Sequence, residues 1–238
     1  MKNKVRVCLT PDLFHLYADR KSIVVVTDVL RATTTMCFAL GSNISKVKPV
    51  MTVEEALEHK GDDSFILAAE RGGKIVNGFD YGNSPQPFMN ADHKGKNMVV
   101  TTTNGTRMIN IAKKDHEVAI GAFVNLKAIT KWATQQNKDI IICCSGWKGK
   151  FCLEDTLFAG AFSLNLLESG KFEMDCDSSR AAINLYETAK DDIYGYLKNS
   201  SHRKRLKDLD IDEDVVICVT KDLVDVVPIL NGDFLENN

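Results

Sequence analysis

The sequence predicts an α/β protein, a three-layer α/β/α sandwich around a mostly parallel or mixed central sheet. Three observations carry that prediction. Short β-branched runs alternate with longer helical segments along the chain. Several runs, such as residues 23–26 and 140–144, are apolar throughout, as expected of strands covered on both faces. No linker rich in Pro, Gly or Ser and no fixed-period repeat divides the chain, so residues 1–238 read as one domain.

Taken in order, strands are predicted at residues 5–9, 23–28, 46–50, 65–70, 97–102, 118–121 and 139–144, with a closing pair at 215–219 and 226–230. Helices are predicted at residues 32–40, 53–59, 105–112, 125–136 and 153–168, and a helical stretch at 178–209 precedes the last strands. That late helical block and the final strand pair are expected to make the sheet mixed. The segment 71–87, RGGKIVNGFDYGNSPQP, follows a buried strand and concentrates glycine and proline. A loop of that length is often functional, and glycine lets a backbone come close to a ligand.

Composition narrows the function classes. A formal charge of −2 offers no bulk attraction for nucleic acid or for an anionic membrane surface. An anionic ligand must therefore be held by a local cluster of cations. The N-terminal stretch carries no signal-peptide core, and no apolar run is long enough to span a bilayer. Seven scattered cysteines, mostly in apolar segments, read as buried reduced thiols of a cytoplasmic protein. No CxxC pair is present, so a cysteine-based zinc site is not expected. A homodimer is expected on base rates alone.

In open α/β sheets, ligands bind beyond the carboxyl ends of the strands. Four predicted strands deliver polar residues there. The strand at 23–28 delivers Asp28, then Arg31 and Thr33, Thr34 and Thr35; the strand at 65–70 delivers Glu70, Arg71 and two glycines. The strand at 97–102 delivers Thr102, Thr103, Asn104, Gly105 and Arg107, and the strand at 139–144 delivers Trp147 and Lys148, then Glu154 and Asp155. Thr101 to Arg107 is the best phosphate candidate, because a helix start points N–H groups and a favourable dipole at an anion. Arg107 could add a bidentate contact. N-capping by Thr103 or Asn104 is the bland alternative.

Asp28, Glu70, Glu154 and Asp155 are the candidate metal-binding carboxylates, and Mg²⁺ is the ion such oxygen donors suit. For Asp28 and Glu70 the alternative is a salt bridge with Arg31 or Arg71. For Glu154 and Asp155 it is ordinary first-turn placement of acids. His202, beside the basic run Arg203, Lys204 and Arg205, is a candidate proton donor, although such a run is more often a solvated helix face. Cys144 is followed six positions later by Lys150 rather than Arg, Asp28 lacks a second aspartate two positions on, and no nucleotide-binding glycine loop or GxSxG elbow is present.

Together the motifs resemble one family. Asp28-Val-Leu-Arg-Ala-Thr-Thr-Thr35, Glu70-Arg-Gly-Gly73, Gly78-Phe-Asp-Tyr-Gly-Asn-Ser-Pro85, Thr101-Thr-Thr-Asn-Gly-Thr-Arg107, Leu153-Glu-Asp-Thr156 and Ser200-Ser-His202 occur in the order of the 2-phosphosulfolactate phosphatases. Lys150 and Cys152 depart from the Arg and small residue of that pattern, and Trp147 is bulkier than the pattern's residue. The resemblance implies a Mg²⁺-dependent phosphatase. It would hydrolyse 2-phospho-3-sulfolactate to 3-sulfolactate and phosphate, a step of coenzyme M biosynthesis, or act on a related small anionic phosphoester. Catalytic roles are then expected for Asp28, Glu70, Arg107 and His202, and substrate contacts for Arg31, Arg71, Thr102, Thr103, Asn104, Gly105 and Lys148. Direct attack by water and a phospho-enzyme both stay open. The competing readings are a non-catalytic binding protein for organic phosphates or sulfonates, and a phosphatase of relaxed specificity.

Overall fold

A computed structural model describes residues 1–89, 92–206 and 212–238, with the backbone alone described at Leu206. Among them eleven strands form one sheet: β1 (Asn3–Cys8), β2 (Ile23–Thr27), β3 (Val47–Pro49), β4 (Phe65–Arg71), β5 (Lys74–Ile75), β6 (Asn97–Thr101), β7 (Val118–Ile120), β8 (Ile140–Cys144), β9 (Phe172–Met174), β10 (Pro228–Asn231) and β11 (Phe234–Asn237). Their order across the sheet is β5-β4-β6-β3-β11-β10-β7-β2-β8-β1-β9. The helices are α1 (Phe14–Tyr17), α2 (Ala32–Gly41), α3 (Val53–Leu57), α4 (Gln86–Met89), α5 (Gly105–Ala112), α6 (Leu126–Ala133), α7 (Leu153–Glu168), α8 (Asp177–Ala189), α9 (Ile193–Tyr196), α10 (Ser201–Leu206) and α11 (Asp212–Val219).

The central strands show why apolar runs become strands here. Along β2, Ile23 and Val25 enter one core while Val24 and Val26 enter the other. Along β8, Ile140, Ile142 and Cys144 alternate with Ile141 and Cys143 in the same way. A strand covered on both faces must be apolar at every position, because successive side chains point to opposite sides. One core is completed by α6, α7 and α8, the other by α2 and α5.

The sheet is mixed, as expected, and its last two strands make it so, although the first predicted member of that closing pair, 215–219, is not a strand. β4, β6 and β3 form one parallel block, and β7, β2, β8, β1 and β9 form another. The hairpin of β10 and β11 joins them through antiparallel pairs to β7 and β3. These pairings run the two blocks in opposite senses, yet side chains of both share one core with α2 and α5. Residues that follow β2, β4, β6 and β8 nonetheless come together in one place.

The predicted strand at 215–219 is a helix, α11. Its β-branched sequence favours a strand, but Asp212, Glu213 and Asp214 occupy the first turn, where the helix dipole favours acids. Val215 and Cys218 are buried while Val216 is exposed, which is helical rather than alternating spacing. The predicted helical stretch at 178–209 is divided into α8, α9 and α10, and its last three residues lie outside the described ones. Strands β5, β9 and β11 were too short or too polar to read in advance.

Candidate active site

A cleft of about 410 Å³ opens where the two blocks meet. Asp28 follows β2 and is 9% exposed. Its loop is fastened from within. Thr33 and Thr34 donate their hydroxyls to the carbonyls of Asp28 and Val29, at 2.9 Å each, and Thr35 donates to the Asn83 carbonyl at 3.1 Å. The three threonines are fully buried and serve the loop rather than the cleft. The Asp28 amide N–H donates to the Thr33 hydroxyl at 3.0 Å.

Helix α5 begins directly against Asp28. A Cβ added at Gly105 would stand 2.7 Å from the Ala32 Cβ and 2.9 Å from Asp28 Oδ2, so glycine is needed for close approach. Capping falls to neither Thr103 nor Asn104: the Thr102 hydroxyl accepts from the Thr106 N–H at 3.3 Å, and Thr106 returns a bond from its hydroxyl to the Thr102 carbonyl at 3.0 Å. Thr102, Thr103 and Asn104 all line the cleft. We expect Gly105→Ala to cost about 1–3 kcal/mol through overpacking and to displace Asp28. A thermal melt lowered together with activity would check this; an unchanged kcat would show that the contact does not position the acid.

Glu70 and Arg71 end β4. Glu70 accepts from the Gly73 N–H with one oxygen and from the Thr103 hydroxyl, at 3.5 Å, with the other. Arg71 bonds the Glu70 carbonyl at 2.7 Å and the Thr101 hydroxyl at 3.0 Å. The glycine-rich loop after β4 thus contributes Gly72, Gly73 and Asn83 to the cleft wall. Arg31 is 5% exposed, pairs with the buried Asp214 and lines the cleft. Asp214 also accepts from Ser84 Oγ at 2.8 Å and Gln86 Nε2 at 2.7 Å, tying α11 to that loop.

Beyond β8, the loop brings Trp147 and Lys148 to the opposite wall. The Arg205 guanidinium lies 3.9 Å and the Lys148 ammonium 4.7 Å from the Trp147 ring centroid. His202, on α10, enters the cleft and is bonded through Nδ1 to Glu154 Oε1. Glu154 is 1% exposed, and its Oε2 has no hydrogen-bond partner among the described residues.

The acids are electrostatically coupled. Burial pushes the Asp28 carboxyl up to about 6; the His202 charge opposes this, and Glu154 and Glu70 add to it. Burial also raises Glu154, but the hydrogen bond and charge of His202 prevail and hold it below the usual carboxylate range. Asp28 thus feels the charges of Glu70, Glu154 and His202.

Two sequence candidates stand apart. Asp155 is buried and accepts from the Val29 N–H at 2.9 Å and the Gly146 N–H at 3.1 Å, so both its oxygens hold loops. Arg107 is bonded to Asp12 at 3.0 Å on the outer side of α5 and is not part of the cleft wall. Conversely, Arg205, Asn83 and Trp147 line the cleft although the sequence patterns assign none of them a role there. Arg205 lies inside a basic run, where nothing local shows which residue turns toward the cleft.

A family model described as 2-phosphosulpholactate phosphatase matches residues 8–233. The chain belongs to the 2-phosphosulfolactate phosphatase family. It is 38% identical over 218 residues to a probable 2-phosphosulfolactate phosphatase of Caldanaerobacter subterraneus subsp. tengcongensis, covering 90% of each chain. Identity is 40% over 212 residues to one of Thermotoga petrophila, covering 89% of this chain and 90% of the relative. Identity is 35% over 234 residues to one of Clostridium botulinum, covering 97% and 98%. Membership makes the chain a phosphoric monoester hydrolase. No helix among the described residues is long and apolar enough to cross a membrane.

Proposed function

We propose that the chain is a Mg²⁺-dependent phosphatase that hydrolyses 2-phospho-3-sulfolactate, or a closely related small anionic phosphoester, to 3-sulfolactate and phosphate. The observation that carries this reading is one cleft lined by both acids and cations. Asp28 and Glu70 supply the oxygen donors, while Arg31, Arg71, Lys148 and Arg205 surround them. A substrate with phosphate, carboxylate and sulfonate groups carries about three to four negative charges near neutral pH, given a second phosphate pKa of about 6. Arg31 is already paired with Asp214, which leaves Arg71, Lys148 and Arg205 as three cations in one cleft of a chain with a net charge of −2 to meet such a ligand.

The donor set also suits the metal. Asp28 and Glu70 are all-oxygen donors whose charges repel each other, which a hard cation relieves. Asp28 and Glu70 would hold Mg²⁺, which when bound polarises a phosphoryl oxygen and orients the attacking water. The N–H groups at the start of α5 and the hydroxyl of Thr103 cradle the phosphoryl group. Glu154 fixes the His202 ring, leaving Nε2 to carry the proton that the departing alkoxide requires. Arg71, Lys148 and Arg205 hold the carboxylate and sulfonate. The reducing cytoplasm is the compartment in which we place the chain, whose seven cysteines are all free.

Phosphate release should be measured from 2-phosphosulfolactate, 2-phospholactate and phosphoglycolate, with Mg²⁺ and with EDTA. Fastest release from 2-phosphosulfolactate, abolished by EDTA, is expected. Equal rates on all three esters would point to relaxed specificity, and no release from any would favour a binding protein.

A further inference from the structure

Beneath the cleft, Cys152, Glu154 and His202 bring one sulfur, one oxygen and one nitrogen ligand atom within 4.8 Å of one another. The absence of a CxxC pair argued against a cysteine-containing metal site, but these three residues are assembled across fifty positions by the packing of α10 on the start of α7. Cys152 and Glu154 are 3% and 1% exposed, and of the three only His202 lines the cleft. The second observation is independent of that spacing. Glu154 Oε2 is buried with no hydrogen-bond partner among the described residues, so one lone-pair-bearing oxygen of the trio is unsatisfied.

We propose that Cys152, Glu154 and His202 form a binding site for a thiophilic divalent cation of the zinc class, separate from the all-oxygen donors Asp28 and Glu70. A thiolate and an imidazole select a borderline-soft ion, whereas Mg²⁺ requires oxygen ligands in octahedral array. Three protein donors with a water in the fourth position make an open tetrahedral set. The ion enters past His202 from the cleft. Binding releases the Cys152 thiol proton, so affinity rises with pH. Burial and the neighbouring acids keep the thiol protonated in the metal-free chain, and coordination to a dication reverses that.

The site is tested without substrate, so its failure and the failure of the phosphatase reading are separate results. Metal-stripped full-length protein is titrated with Co²⁺ and followed by absorption. Expected are a near-ultraviolet thiolate-to-cobalt charge-transfer band and the visible bands of a four-coordinate ion, both displaced by Zn²⁺ and neither by excess Mg²⁺. Cys152→Ser should abolish the charge-transfer band and weaken Zn²⁺ by more than about 100-fold, the upper end of what losing a merely supporting residue does. Cys176→Ser, which alters the half-buried thiol, should leave the band intact. A thermal melt establishes that each variant folds, and His202→Gln provides a second probe by shifting the visible bands. Co²⁺ binding with no thiolate band, a band that survives Cys152→Ser, or full displacement by Mg²⁺ would each overturn the proposal.

Discussion

Asp28→Asn is expected to lower kcat/KM by at least about 10²–10³-fold, the scale on which removing one preorganised electrostatic group acts. The same variant should be more stable than the wild type without metal, which separates a lost functional charge from a damaged fold. The sign follows from burial. Folding raises the Asp28 carboxyl to about 6, so the folded chain holds its proton more tightly than the unfolded chain does. As pH rises, the unfolded state loses its proton first, and folding is progressively penalised until Asp28 is ionised in both states. Above pH 6 the penalty is fully present, and a carboxyl raised from its ordinary value to about 6 corresponds to about 2–3 kcal/mol. Denaturant melts of both proteins in EDTA should show Asp28→Asn ahead at pH 7.5, with its advantage vanishing between about pH 6 and 4. A constant advantage across that range would mean that Asp28 is not the titrating group. Added Mg²⁺ should stabilise the wild type and not the variant, since ligand binding adds RT ln(1 + [L]/Kd).

Asp214→Ala is expected to be the most destabilising single change outside the apolar core. Arg31 is 5% exposed and Asp214 2%, and removing one partner of a buried ion pair typically costs about 3–5 kcal/mol because the other charge is left unpaired. For a chain of this size that lowers Tm by roughly 6–20 °C. The loss is larger than a single pair, because Asp214 also receives Ser84 and Gln86 from the glycine-rich loop. That loop supplies Gly72, Gly73 and Asn83 to the cleft, so KM should rise together with the fall in Tm. Restoring the network's shape without its charge, as in Asp214→Asn, should recover the loop contacts in part but leave Arg31 uncompensated. Full stability in Asp214→Ala would show that Arg31 reaches solvent in solution.

How far the site could be read in advance depended on whether its chemistry was local. Asp28, Glu70, Thr102, Thr103 and Asn104 were legible because each sits where an apolar strand gives way to polar residues, and strand ends are where sheets of this class bind ligands. Gly105 was legible as a helix start, but the sequence suggested exposed N–H groups and could not show that Asp28 lies against it. Arg107 and Asp155 have the residue types of a phosphate contact and a metal ligand. Only their partners, Asp12 for one and two backbone N–H groups for the other, show where those charges are spent. His202 and Arg205 lie far along the chain from the other residues of the cleft. Their approach depends on how α10 packs, a contact that leaves no periodicity in the sequence.

By itself, the sequence determined the α/β class, the central strands and the family, because apolar runs covered on both faces and ordered strand-end motifs are local patterns. It did not determine the direction of the two parallel blocks, which is decided by the β10–β11 hairpin at the end of the chain. Nor did it assign residues 215–219, where β-branched composition pulls toward a strand while the acidic first turn and buried spacing settle a helix. The tertiary structure alone decided that the carboxylates share one field, which raises Asp28 and holds Glu154 low. Burial and charge proximity set those values, and both are properties of residues distant in sequence that only packing brings together.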